Sequence, residues 1–306
     1  MDILFGLAAN ILQEGFVYAI MAIGVFVTYR VLNFPDLSVD GTFPLGACVT
    51  GALILGGADP WAACLVSFLC GAAAGCVTGL LHVRLHITDL LSGILVMTGL
   101  TSINLVVTGG SSMLAYYSRP TVFSAGPAAL IPASARVWRV LAVAFAFCIL
   151  IKLAVDWYLR TKSGLLLRAA GDNPQYVVSL GRDPGMQKIL GLTLGNGLTA
   201  LSGSVLSQQA GSANVWSGTG MVVMGLASVI IGTSLFGRVK IMRATTAVVL
   251  GTVVYKTCLV VAMQLGLPAN YLKLLMAVLL TVALVANRAA PFRGKGEKRD
   301  AVSSDL

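Results

Sequence analysis

RTKSGLLLRAAGDNPQYVVSLGRDPGMQK, residues 160–188, is the longest charged stretch in the chain, and strongly apolar runs flank it on both sides. It carries Arg160, Lys162, Arg168, Arg182 and Lys188 against only Asp172 and Asp183. A basic segment between two membrane spans belongs on the cytoplasmic face. Ser163 and Gly164 open it, and Leu165 to Ala170 read as a short helix. Gly171-Asp172-Asn173-Pro174 then reads as a turn and a fresh start, with Asp172 or Asn173 as N-cap and Pro174 at the first helical position. Gln175 to Leu180 continue that second helix as far as Gly181. Two short capped helices at the membrane surface form a docking surface.

The apolar runs settle the class. Of 306 residues, 57% are hydrophobic and 11% charged, with mean hydropathy +0.87; soluble domains carry about 25% charged residues. The expected fold is all-α: a polytopic membrane bundle of about nine crossings, eight to ten allowing for re-entrant pieces, with broken helices near its centre. Spans are expected from about Ile11 to Tyr29, Phe43 to Leu55, Trp61 to Leu81, Leu90 to Thr108, Val137 to Leu159, Ile189 to Gln208, Gly220 to Phe236, Ala244 to Gln264 and Tyr271 to Ala286, after a short amphipathic lead over Met1 to Asn10. Residues 1–287 form the transmembrane domain, with 160–188 as its cytoplasmic loop, and 288–306 a charged, disordered cytoplasmic tail. Basic clusters follow alternate spans, at Arg30, His82 to His86, 160–188, Arg238 to Arg243 and Arg288 to Arg299. The other connections are poor in basic residues, Arg119 and Arg136 excepted, which puts the N-terminus outside and the C-terminus inside. No basic n-region marks a cleavable signal peptide, so the first span directs insertion. The net charge of +9, divided among loop clusters, suits phospholipid headgroups and is not a nucleic-acid footprint.

Polar residues at membrane depth are the candidate sites. Asp36 and Asp40, four apart in NFPDLSVDGT (33–42), would share a helix face. They read either as a substrate or ion site, or as structural, with Asp36 capping the broken second span and Asp40 near the interface. The segment from Asp40 loosely resembles the one from Ser217, and Gly/Pro-interrupted segments in two halves point to a midplane transport site. Thr101, Asn104 and Thr108 lie on one helix face, as do Asn196, Ser204 and Gln208. Each stripe reads as the lining of a translocation path or as interhelical hydrogen bonding. No buried charge pair is evident along the spans, as suits a small neutral or zwitterionic solute. Cys48, Cys64, Cys70, Cys76, Cys148 and Cys258 all fall in apolar runs; the six-residue spacing of three of them turns each by about 240° around a helix, so they read as buried small residues and no metal cluster. His82 and His86 have metal-pair spacing without a third ligand and read as interfacial. With no Ser-His-Asp set, Walker motif or HExxH, no catalytic residue and no ATP hydrolysis are expected in this chain.

GLLLRAAGDNP (164–174), LGRD (180–183), KILGL (188–192) and LSG (201–203), with PDLSV (35–39) and GLASVIIG (225–232), resemble the permease subunits of ABC importers of the branched-chain amino acid and ribose type, over roughly residues 10–287. NFPDLSVDG and Ser102-Ile-Asn look closest to the subset linked with tryptophan, tyrosine and other amino acids. The resemblance implies a permease of the bacterial cytoplasmic membrane, forming a homodimer or pairing with a similar subunit. Its implied partners are two cytoplasmic ATPase subunits, which hold the ATP and Mg, and an extracytoplasmic solute-binding protein. It also implies that Arg168, Ala170, Gly171, Asp172, Asn173, Pro174, Tyr176 and Leu180 belong to the coupling helices; the polar residues Asp36, Asp40, Thr101, Asn104, Asn196 and Gln208, read above at membrane depth, are the candidates for the path. The alternative is a proton- or sodium-coupled secondary transporter using Asp36 and Asp40.

Overall fold

A computed structural model describes residues 2–126, 135–237, 242–266, 268 and 271–289. The first helix, α1 (Asp2–Val25), absorbs the expected lead without a break and runs on into a π-helix, Phe26–Val31. It is followed by α2 (Val39–Leu55), α3 (Pro60–Arg84), α4 (Asp89–Val107) and α5 (Arg136–Tyr158). The charged loop holds α6 (Lys162–Asp172) and α7 (Pro174–Ser179); then come α8 (Pro184–Ala210), α9 (Met221–Phe236), α10 (Ala244–Gln264) and α11 (Leu272–Ala289). Seven of these crossings are long and apolar enough to span a membrane, and α2 and α11 are shorter apolar helices. Together they make nine among the described residues, in an all-α polytopic bundle. The second span starts at Val39, four residues before the expected Phe43. The expected tail beyond Ala289, and Arg238 and Lys240 of the basic clusters, lie outside the described residues.

The bundle is built around α1 and α8. Val17, Ile20, Met21, Ala22 and Ile23 of α1 are wholly buried, as are Leu192, Ala200 and Val205 of α8. Small residues make this possible: a Cβ at Gly46 of α2 would overlap the Ala200 carbonyl of α8, so the two backbones touch directly. Around this centre, α3, α4, α5 and α11 turn large apolar side chains outward, among them Leu65, Leu69, Ile94, Ile103, Leu150 and Val282. Water does not tolerate so continuous an apolar surface, whereas lipid tails do. Helix ends are set locally: Asp59 accepts from the Trp61 and Ala62 amides at 3.0 and 3.2 Å ahead of Pro60, and Asp183 accepts from Gly185 N at 2.8 Å around Pro184.

Two features were not anticipated. A two-stranded antiparallel sheet joins β1 (Met113–Ala115) to β2 (Ser212–Asn214), with Leu114 opposite Ala213. It fastens the α4–α5 connection to the end of α8, and three-residue strands carry no readable period. The second is the π-helix, whose extra residue per turn leaves the chain free to turn back over Leu32–Ser38 before α2 begins.

Candidate functional site: the charged loop and the intramembrane polar seam

The loop is two helices, as expected, with its caps resolved. Thr161 caps α6 by accepting from Gly164 N at 3.3 Å. Asn173 ends α6 and starts α7, its Oδ1 accepting from Gln175 N at 3.1 Å and Tyr176 N at 3.3 Å. Asp172, the other candidate cap, is the last residue of α6. One face of the pair is inward: Leu167, Ala170 and Val177 are buried, and Gly171 lies so close to Val31 that a Cβ would overlap the Val31 carbonyl. The other face is exposed, with Arg168, Asp172, Asn173 and Pro174 beside the apolar Leu165, Tyr176, Val178 and Leu180. Six of the eight residues named from the sequence are therefore on the outer face, while Ala170 is buried and Gly171 bears on Val31 at the end of the π-helix.

A polar seam runs between α2 and α8, which lie parallel. Thr42 Oγ1 donates to Asn196 Oδ1 at 2.9 Å and Thr50 Oγ1 donates to Ser204 Oγ at 2.6 Å, both at a sequence offset of 154 residues. Gly46 against Ala200 sits between them at the same offset. Asn196 lies twelve residues into the 27-residue α8, about 18 Å along a helix of about 40 Å, so this end of the seam is near mid-membrane. Asp36 is buried here. Its Oδ1 accepts from Ser38 N at 2.8 Å and Ser38 Oγ at 2.6 Å, and its Oδ2 accepts from Asn196 Nδ2 at 2.7 Å. Further along, Gln208 Oε1 accepts from Val122 N at 2.9 Å while its Nε2 donates to Cys64 Sγ at 3.1 Å.

The expected shared face of Asp36 and Asp40 is not what the chain forms. Asp36 precedes α2, bonds the residue ahead of its first turn, and caps no helix. Asp40 is the cap, but of a different helix: it accepts from Gly220 N at 3.1 Å and Val222 N at 2.8 Å, at the start of α9. A Cβ at Gly218 would overlap the Asp40 carbonyl, so the two interrupted segments that looked alike in sequence meet here. Asn104 is buried and donates to the Gly41 carbonyl at 3.2 Å. Thr101 is half-buried, its hydroxyl returned to Met97 O at 3.0 Å. The sequence reading missed Ser38, Thr42 and Thr50, although hydroxyls and a glycine at steps of four from Ser38 into α2 match the Asn196 stripe step for step.

The expectation that the spans hold no charge pair is overturned twice. Asp156 of α5 meets Lys152 at 3.1 Å and Arg243 at 3.0 Å, and accepts from Thr245 at 2.6 Å, tying α5 to α10. Glu14 of α1 pairs with Lys256 of α10 at 2.5 Å, with the ammonium 4.4 Å above the Tyr18 ring. The Lys152–Asp156 pair, four residues apart on α5, is readable within one span, whereas Asp156 with Arg243 and Glu14 with Lys256, 87 and 242 residues apart, are not. His82 takes a hydrogen-bonding place, with Nδ1 2.9 Å from Ile87 O and Nε2 3.0 Å from Lys188 Nζ. No group of metal-ligating residues occurs among those described. Of the cysteines, Cys48, Cys64 and Cys148 are buried as expected; Cys258 is exposed on the outside of α10.

Residues 7–284 match the family described as branched-chain amino acid transport system, permease component. The chain belongs to that family. The permease is 40% identical over 275 residues to a tyrosine transport system permease protein of Clostridioides difficile, covering 90% of this chain and 89% of the relative. It is 28% identical over 214 residues to an autoinducer 2 import system permease protein of Salmonella typhimurium, covering 70% of this chain and 58% of the relative. It is 26% identical over 235 residues to a ribose import permease protein of Escherichia coli, covering 74% and 70%. No solved structure matches the permease.

Proposed function

We propose that the protein is the membrane-spanning subunit of an ATP-driven ABC importer for an amino acid, of the aromatic class. It works as a homodimer in the bacterial cytoplasmic membrane, N-terminus outside and C-terminus inside. Two ATPase subunits carrying ATP and Mg dock from the cytoplasm, and an extracytoplasmic binding protein delivers the solute. The observation that carries this reading is the two-faced α6–α7 pair. Its outer face offers an exposed apolar patch at Leu165, Tyr176, Val178 and Leu180, flanked by Arg168 and Asp172, the composition of an interface core with a charged rim. Its inner face bears on the first crossing at Val31 through Gly171. A force applied to the outer face is handed to α1 and, through Leu32–Ser38, to the seam. The transmembrane unit over 1–287 acts as one body around that seam. Asp36, Asp40, Asn104, Asn196 and Gln208 hold the walls of the translocation path through the bonds they make, and Thr101 lies beside them on α4. The solute class rests on the 40% identical relative, whose name assigns it tyrosine transport.

The test is co-purification with the ATPase from membranes, with Tyr176→Ala and Leu180→Ser combined in the permease. Interface hot spots are worth about 2 kcal/mol or more each, so the expected result is loss of the ATPase from the purified complex with the permease still monodisperse. A permease that purifies alone and takes up solute on an ion gradient would refute the proposal.

A further inference from the structure

A cavity of about 430 Å³ opens between the turn joining α3 to α4 and the starts of α7 and α8. That volume is within the roughly 300–1,000 Å³ typical of small-molecule sites. α3, α4 and α8 are all spans, and the cavity lies where α3 ends at Arg84, α4 begins at Asp89 and α8 begins at Pro184. Apolar helix gives way to charged loop at this level, which is the level of lipid headgroups. Beside the lining residues, Leu85 and Leu90 are exposed. One imidazole fixes the walls. An ammonium can only donate, so His82 Nε2 accepts from Lys188 Nζ at 3.0 Å, and the proton on Nδ1 is donated to Ile87 O at 2.9 Å. That bond holds the turn in which His86 takes φ 55°, uncommon for a residue with a side chain.

Two charges on the cavity wall are left over. His82 in this form carries no charge, so it neutralises neither neighbour. Lys188 spends one of its three protons on His82 and keeps two, with no carboxylate in ion-pair reach among the described residues. Asp89 lies 3.7 Å from His82 Nδ1, beyond hydrogen-bonding distance, and meets no other cation among them. Thr88, at the N-cap of α4, makes no side-chain cap bond, which leaves its hydroxyl to a ligand. We propose that the cavity seats the headgroup of a phosphatidylethanolamine from the adjoining leaflet, with its phosphate on Lys188 and the Thr88 hydroxyl and its primary ammonium on Asp89. A lone cation and a lone carboxylate in one open cavity match a ligand that carries both charges, each contact being a charge-assisted hydrogen bond. The acyl chains leave along Leu85 and Leu90. Selectivity follows from the same groups. Phosphatidylglycerol has no cation for Asp89, and the quaternary nitrogen of phosphatidylcholine has no N–H to donate. Pro174, the first residue of α7, lines the same cavity, so the seated headgroup braces the charged loop against the α3–α4 turn. The inference goes beyond the transport reading and stands without it.

The experiment titrates the purified full-length permease in detergent micelles with dioleoyl phosphatidylethanolamine, phosphatidylglycerol or phosphatidylcholine. The affinity for the first bound lipid is read by native mass spectrometry. Phosphatidylethanolamine is expected to bind at least about tenfold more tightly than either of the others, the effect of one charge-assisted bond. Asp89→Asn should erase the preference over phosphatidylglycerol. Lys188→Gln, whose amide can still donate to His82, should weaken phosphatidylethanolamine binding by about tenfold or more, and it carries the test should Asp89→Asn misfold. Equal affinity of the unaltered permease for the three lipids overturns the inference. So does a full preference retained in Asp89→Asn, or unchanged phosphatidylethanolamine affinity in Lys188→Gln. Displacement of the lipid by an equal concentration of water-soluble glycerophosphoethanolamine would assign the cavity to a free phosphoester and also overturn it.

Discussion

Asn196→Leu cuts the seam where the extracted Leu32–Ser38 segment is fastened to α8. The amide makes three bonds to other elements: Nδ2 to Asp36 Oδ2 at 2.7 Å, and Oδ1 from Ser38 Oγ at 3.1 Å and Thr42 Oγ1 at 2.9 Å. Polar contacts between membrane helices average ~0.6 kcal/mol and reach ~1.7, so the Thr42 bond contributes about 0.6 kcal/mol and the Ser38 contact less, since its one hydroxyl proton is shared with the shorter bond to Asp36 Oδ1 at 2.6 Å. The bond to the buried carboxyl stands at the upper end, since bonds to charged groups are worth ~1.5–3 kcal/mol and an abandoned buried acceptor is costly. The expected loss is therefore about 3 kcal/mol, read as the shift in unfolding free energy when SDS is titrated into mixed micelles. A cycle with Asp36→Asn isolates the one bond and should return a coupling energy of at least about 1 kcal/mol, above the ~0.3–0.5 kcal/mol scatter of independent sites. A coupling indistinguishable from zero would mean that Asp36 is not held by Asn196 and would remove the anchor on which the seam argument stands.

Three further outcomes are expected. Asp156→Asn loses about 2 kcal/mol in the same titration; this is less than the ~3–5 kcal/mol of a fully buried pair, because Arg243 is 46% exposed. Gly46→Leu forces a side chain into the Ala200 carbonyl, which is rigid helix backbone, and should leave no monodisperse protein on gel filtration; a normally folded Gly46→Leu would contradict the parallel α2–α8 contact. In a cysteine-free background, a membrane-impermeant maleimide added to intact cells should label Ser112→Cys and leave Ser179→Cys unlabelled until the cells are opened, and the reverse pattern would invert the proposed orientation.

Much of this was legible in the sequence because apolar run length and basic-cluster alternation act over whole spans. All nine crossings, the paired loop helices and the Asn173-Pro174 restart follow from such local rules. Residues that act through another span were harder to read. Asp36 and Asp40 look equivalent at a spacing of four, yet the backbone leaves helical geometry between Leu32 and Ser38, so the spacing carries no common face. Glu14 and Lys256, or Asp156 and Arg243, need the bundle's packing before they can be paired. The α2–α8 seam is intermediate. Its register was present in the sequence as two matching ladders, Ser38-Thr42-Gly46-Thr50 and Asn196-Ala200-Ser204, but only one was read, because hydroxyls within an apolar helix so often bond back to their own turn, as Thr101 does.

Asp40 is where a structural and an ion-coupled reading make opposite demands. α9 begins with Gly220 in the left-handed region at φ 91° and has no side-chain cap of its own. Its first amides are orphan donors, and the half-buried Asp40 reaches across from α2 to take two of them, at Gly220 and Val222. A carboxylate suits this position twice, as acceptor and as negative charge at a helix N-terminus. Asp40→Ala leaves both amides unmet and should cost more than the ~1 kcal/mol of an exposed cap, about 2–3 kcal/mol with the desolvation of the amides included. Asp40→Asn keeps one acceptor oxygen for Val222 but turns an NH2 group toward Gly220 N, so it should lose about half as much. Uptake should follow the same order, Asp above Asn above Ala, without dependence on a proton or sodium gradient. An ion-coupling carboxylate demands a different order: asparagine cannot ionise, so Asn and Ala would be equally inactive even where the Asn protein is nearly as stable as the original. Measuring unfolding and uptake on the same three proteins separates the two. Equal inactivity at unequal stability would make Asp40 a coupling site and would overturn its assignment as the cap that joins the two broken helices.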